Sequence, residues 1–164
     1  MSNLAFAETL TAILAHHVEE ANVLTGEAAR PFATDVYRSL AQPVAVVRPS
    51  TVEDLQAVVA ALAAHETPFI VRGGGASYTD AYLSRSEGHV LIDMGNLNRI
   101  VEIDATGGTV TLEAGVTWLA LSDALAKQDL RTPFRGPFSG MAATVGGSVS
   151  QNSISHGSGS YGIS

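Results

Sequence analysis

The run Arg72-Gly73-Gly74-Gly75-Ala76-Ser77-Tyr78 directly follows an apolar stretch, Phe69 to Val71. Three consecutive glycines leave a backbone with no Cβ obstruction and free access to positive φ. Successive N–H groups in such a run can converge into a concavity that holds an anion. The Ser77 hydroxyl adds a donor and Arg72 a charge. A diphosphate needs this equipment, and it needs no net positive protein. Three glycines after a strand also make an ordinary tight surface turn, and the residues alone leave both readings open. The run is not the Gly-x-Gly-x-x-Gly dinucleotide fingerprint, because Tyr78 stands where the final glycine belongs. Nor is it a P-loop, since no Gly-Lys-Ser/Thr follows.

Two further clusters have the same character. Thr144-Val145-Gly146-Gly147-Ser148 and His156-Gly157-Ser158-Gly159-Ser160-Tyr161-Gly162 can each present amides and hydroxyls to a polar ligand. Each alone reads more readily as a loop. Together the three clusters suggest a long ligand with several polar groups, contacted mostly by backbone. Hydrolytic chemistry is poorly supported. No serine sits in Gly-x-Ser-x-Gly, so the nucleophile elbow is absent. His16, His17 and Glu19 lie close in sequence, but they read as a solvated helix face rather than a zinc site. Asp93, ending a strand, reads as a turn or cap residue, and Trp118 as a core or edge residue at a helix start.

The chain that must carry these groups has 164 residues, with 46% hydrophobic and 15% charged. A chain of this size buries roughly 70% of its unfolded surface, enough for one core without staples. No cysteine is present, which excludes disulfides, thiolate metal sites and Cys nucleophiles. Lys and Arg number 9 against 16 Asp and Glu, a formal net charge of -7. Duplex binding relies on phosphate neutralisation, so no nucleic-acid partner is expected. Mean hydropathy is +0.20, but no stretch approaches the roughly 20 apolar residues of a membrane span. Met1 to Glu20 lacks a basic n-region, so the sequence is read as that of a cytoplasmic protein.

Periodicity supplies the elements. Leu4, Ala7, Leu10, Leu14 and Val18 make one helical stripe. From Thr25 to Gln42 the chain is irregular. Val44 to Arg48 reads as a strand buried on both faces. A helix follows, with Ser50 or Thr51 as its cap and Leu55, Val58, Val59 and Leu62 as its stripe. Pro68 ends that region and Phe69 to Arg72 is the next strand, completing a βαβ unit. His89 to Met94, Leu97 to Asp104 and Thr109 to Ala114 read as strands, with a turn at Ala105 to Gly108. Trp118 to Lys127 reads as a helix capped by Thr117. From Thr132 onward regular periodicity is lost.

In this order and spacing the motifs resemble the FAD-binding domain of the vanillyl-alcohol oxidase/p-cresol methylhydroxylase (PCMH-type) family of flavoenzymes. The matching segments are Pro43 to Leu55, Phe69 to Ser77, Leu91 to Met94, Thr111 to Val116, Thr144 to Gly147, and His156 to Ser158 with Tyr161-Gly162. The branch it looks most like is that of the FAD-linked oxidases acting on 2-hydroxy acids and related alcohols. The resemblance implies an α+β fold: a βαβ-containing first lobe, about Val44 to Glu113, then the start of a second α+β lobe, with an N-terminal helix outside. FAD would lie between the lobes.

The resemblance also implies roles. Gly73, Gly74, Gly75, Ala76 and Ser77, beside Arg72, would hold the FAD pyrophosphate by their amides. Ala114, Gly115 and Val116 would pack near its adenosine and diphosphate side. Pro137, Thr144, Gly146 and Gly147 would line the cofactor groove. His156, Gly157 and Ser158 would lie along the ribityl and isoalloxazine region. Some members attach flavin through a histidine in the glycine loop; Ala76 stands there, so non-covalent FAD is expected. Family FAD domains continue past the Tyr161-Gly162 region, and a substrate domain follows. The chain is therefore read as an N-terminal helix and linker over 1–33, then an FAD-binding domain over 34–164 that is C-terminally incomplete. The expected function is an FAD-dependent oxidoreductase, or its FAD-binding fragment, oxidising a 2-hydroxy acid or related alcohol by hydride transfer to flavin. The alternative is a non-catalytic subunit or truncated module that needs a second chain. No residue is singled out as a catalytic base. The 164-residue chain alone is expected to be inactive, to bind FAD weakly or not at all, and to self-associate.

Overall fold

Every residue of strand β2 (Ala45–Val47) is buried, and its alternate side chains enter two different apolar layers. The structure is a computed structural model that describes residues 3–133 and 140–162. It divides into two compact units, Met1–Asn96 and Leu97–Ser164.

The first unit is built on a four-stranded sheet in the order β1-β2-β4-β3. Strands β2, β3 (Phe69–Arg72) and β4 (Val90–Asp93) are parallel, with β4 between the other two. Between β2 and β3 runs helix α2 (Val52–Ala64). Its start is fixed by a capping box: Thr51 Oγ1 accepts from the Asp54 amide at 3.0 Å, and Asp54 Oδ2 accepts from the Thr51 amide at 3.1 Å. Ala45, Val47, Val90 and Ile92 meet Val58 and Leu62 of α2 on one face. Helix α1 (Asn3–Leu14) brings Leu10 and Leu14 to the same layer, joined by Val18 beyond its end. Val46 and Leu91 point the other way, onto Ala29, Leu24 and Phe32. Each fully buried Val, Leu or Ile among them contributes about 1.5–3 kcal/mol.

The second unit opens with the antiparallel hairpin β5 (Ile100–Asp104) and β6 (Thr109–Leu112). Asp104 builds the turn, its Oδ1 accepting from the amides of Thr106 and Gly107 at 3.0 and 2.8 Å. Helix α3 (Trp118–Ala126) is capped by Thr117. Helices α4 (Val145–Ser150) and α5 (Ser158–Tyr161) follow. No helix among the described residues is long and apolar enough to cross a membrane.

Several elements differ from the sequence expectation. Helix α1 stops at Leu14, where the chain tightens: the amides of His16 and His17 bond to carbonyls three residues back. The two-residue strand β1 (Val23–Leu24) carries no period, and only its antiparallel pairing with β2 defines it. Leu97 lies outside β5, and the hairpin expected in the first lobe belongs to the second unit. Gly146 and Gly147 are poor helix formers, so the sequence predicts loop where helix α4 forms. Its Thr144 cap and its packing override that propensity.

Candidate functional site

Ligands of open sheets with parallel strands gather beyond the strands' C-terminal ends. In the first unit those ends carry Arg48, just after β2, Arg72 at the end of β3 and Asp93 at the end of β4. Asp93 is 3% exposed. Its Oδ2 accepts from Arg72 Nη1 at 2.7 Å, and its Oδ1 faces Arg48 Nε at 3.4 Å. Oδ1 also accepts from the Gly95 amide at 3.1 Å. A carboxylate this deep is tolerated because two cations and a backbone amide compensate it. Reading Asp93 as a turn residue captured the Gly95 bond and missed the ion pairs. The signal was present: one acid and two arginines closing three parallel strands.

Gly73 to Ser77 form the loop that leaves β3, and all five are partly exposed. Arg72 lies under this loop. Its guanidinium carbon sits 5.0 Å from the Phe32 ring centre and 5.6 Å from that of Tyr82, within cation–π range. Nη1 also approaches the Gly73 carbonyl at 3.4 Å, and Nε is buried with no acceptor among the described residues. Gly75 has φ +69°, which favours glycine, and a Cβ there would lie 2.7 Å from Arg72 Cζ. The Tyr82 hydroxyl donates to the Gly75 carbonyl at 2.7 Å. Burial raises the Tyr82 phenol pKa and nearby Asp35 adds to it, while Arg72 opposes. The phenol therefore stays a donor at neutral pH. Sequence reasoning did not single out Tyr82 or Phe32, because nothing in their spacing announces contact with the loop.

The loop's polarity is one-sided. Its Gly73 and Gly75 carbonyls face inward to Arg72 and Tyr82. The amides of Gly73, Gly74, Gly75 and Ala76 donate to no group among the described residues. Four consecutive N–H groups without acceptors, on a partly exposed loop containing a positive φ, suit a diphosphate.

The second unit treats its candidates differently. Ala114-Gly115-Val116 and Thr144-Val145-Gly146-Gly147 are brought together, backbone against backbone. Val145 N bonds to Val116 O at 2.8 Å and Gly146 N to Ala114 O at 3.1 Å. A Cβ on Gly146 would lie 2.7 Å from both the Cβ and the O of Ala114. Gly115 N is taken by Leu97 O and Gly147 N by the Thr144 hydroxyl. These amides are engaged within the protein, so what this region offers a ligand is shape. Trp118 Nε1 donates to the buried Ser148 hydroxyl at 2.7 Å and locks α3 to α4. Glu113, at the head of the turn, is bound by Arg99 through Nε at 2.9 Å and Nη2 at 2.6 Å, which lowers its carboxyl pKa. His156, Gly157 and Ser158 make the turn into α5, with Gly157 at φ +100°. Pro137 lies outside the described residues.

Comparison with known proteins agrees with this geometry. A family model described as an FAD binding domain matches residues 43–164. The chain is 31% identical over 143 residues to the glycolate oxidase subunit GlcD of Escherichia coli, covering 85% of this chain and 28% of that one. It thus spans little more than a quarter of that curated relative. Among solved structures, an alkyldihydroxyacetonephosphate synthase superposes over 97% of this chain and 34% of its own, with TM-score 0.81 and 22% identity. p-Cresol methylhydroxylase superposes over 92% of this chain and 30% of its own, with TM-score 0.79 and 21% identity. Those two likenesses carry the fold, and the family model carries the cofactor. The chain belongs to the FAD-binding domain family that this model describes, with the fold of the PCMH-type domains, and its cofactor is FAD.

Proposed function

We propose that this chain is the FAD-holding part of an FAD-linked oxidoreductase that oxidises a small 2-hydroxy acid or related alcohol. The observation that carries the reading is the row of acceptor-free amides from Gly73 to Ala76. Gly73 to Ser77 would hold the diphosphate. Ala114, Gly115, Val116, Thr144, Gly146 and Gly147 would give the rest of the cofactor a close-packed wall, and His156, Gly157 and Ser158 would lie toward its flavin end. Bound FAD supplies a ring that accepts hydride from a substrate carbon, while the protein binds and orients. The substrate class is supported by the glycolate oxidase subunit at 31% identity. That relative's name also favours a second reading, in which the flavin-holding chain works as one subunit beside another.

FAD titration by calorimetry and an assay of 2-hydroxy acids with an artificial electron acceptor test this. The expected result is FAD binding that Gly74→Val abolishes with little loss of fold, because a β-branched side chain blocks the amides. Binding unaffected by Gly74→Val would remove the loop from the site. Bound FAD that neither 2-hydroxy acids nor related alcohols reduce would overturn the substrate class. Stable co-purification of a second polypeptide with activity dependent on it would establish the subunit reading.

A further inference from the structure

Resting on that FAD reading, we infer that Arg72 and Tyr82 are positioning residues that aim the Gly74 and Ala76 amides outward, and that Arg72 is not itself a ligand of the diphosphate.

The inference follows from peptide geometry. In a trans peptide the C=O and the next N–H point in opposite directions. Arg72 Nη1 lies against the Gly73 carbonyl on the inner side of the loop, so the Gly74 N–H faces away from it. The Tyr82 hydroxyl holds the Gly75 carbonyl at 2.7 Å from the same side, so the Ala76 N–H also faces away. Two inner anchors thus set two outer donors. Positive φ at Gly75 lets the chain turn between them.

Arg72 has little freedom to serve the ligand directly. Nη1 is committed to Asp93 Oδ2, and the guanidinium is flanked by the Phe32 and Tyr82 rings. Nη2 lies where a Gly75 Cβ would be. Only 18% of the side chain is exposed. The planar fork and ring contacts that fix it are ones a lysine does not reproduce. Asp93 is the second link, because it orients the fork from the neighbouring strand. Tyr82 has an equally defined place, 5% exposed, with its hydroxyl on the loop and its ring beside Arg72.

The test is FAD titration of the intact protein at several salt concentrations, with ¹H–¹⁵N spectra of the loop amides. Wild-type protein should show FAD-induced shifts at Gly74 and Ala76. Tyr82→Phe keeps the ring and removes only the hydroxyl. It should weaken FAD binding about tenfold and lose the shift at Ala76 while keeping that at Gly74. Arg72→Lys should weaken binding as much as Arg72→Met at every salt concentration, since a lysine keeps the charge but not the planar fork and ring contacts. If Arg72→Lys binds like wild type while Arg72→Met does not, the charge rather than the fork serves the ligand and the inference is overturned. Wild-type affinity in Tyr82→Phe overturns it for Tyr82. Those results leave the FAD reading intact. Wild-type protein that binds no FAD, or binds it regardless of Gly74→Val, overturns both.

Discussion

Asp93 and Arg72 are register partners at the ends of two adjacent parallel strands, and Arg72 Nη1 donates to Asp93 Oδ2 at 2.7 Å. This pair turns a sheet edge into a support for a loop. The carboxylate sits on β4, between β2 and β3, so it can face Arg48 on one side and Arg72 on the other. The cation it holds then braces the glycine loop from inside.

Removing that carboxylate leaves Arg72 partly buried without its counter-ion. Asp93→Ala should lower unfolding free energy by about 3 kcal/mol, the scale seen when one member of a buried pair is removed. Asp93→Asn keeps an acceptor and should cost less. Urea denaturation measures both, and an Asp93→Ala variant as stable as wild type would mean that the pair contributes nothing.

Glycines in the second unit should respond unequally to alanine. Gly146→Ala places a Cβ against Ala114 backbone that cannot move aside, and should destabilise by about 1–3 kcal/mol. Gly159, in α5, has nothing within 4 Å of an added Cβ. Gly159→Ala should be neutral or stabilising by up to about 1 kcal/mol, since alanine restricts the unfolded chain and favours helix. Thermal melts of the two variants compare them, and equal effects would contradict the tight Ala114–Gly146 contact.

His89 gives stability a pH dependence. It is 3% exposed, with Nδ1 2.9 Å from the Ser86 carbonyl, and burial lowers its pKa below the usual imidazole value. The folded chain therefore resists a proton that the unfolded chain accepts below about pH 6.5. Its stabilising contribution is complete above that pH and is lost as pH falls toward the lowered folded value. His89→Gln should flatten the stability profile below about pH 6.5, read by urea midpoints as pH falls. An unchanged slope would assign the dependence to other groups.

Flavin should not be tethered through the glycine loop, because Ala76 has no atom that could bond it. Acid or detergent denaturation should release all FAD into the filtrate. Flavin fluorescence that stays with the denatured polypeptide on a gel would require attachment elsewhere.

The sequence by itself determined the elements with strong local signals. The apolar run before Arg48, a cap at Ser50 or Thr51 and the stripe through Val58 and Leu62 are local features, and they form where expected, with Thr51 as the cap. Glycine clustering marked the loop after β3, because a lack of Cβ is a property of composition. Tertiary structure decided which amides stay open. The Gly73 to Ala76 N–H groups have no acceptors among the described residues, while those of Gly115, Gly146 and Gly147 are taken by Leu97, Ala114 and Thr144. Both sets look alike as text, since hydrogen-bond partners depend on where distant backbone returns. The roles of Asp93 and Tyr82 were hidden for the same reason. An acid ending a strand becomes an ion-pair centre only when parallel register sets arginine-bearing strands on both sides. A tyrosine seven residues beyond Gly75 becomes its hydrogen-bond donor only when the intervening chain folds back beneath the loop.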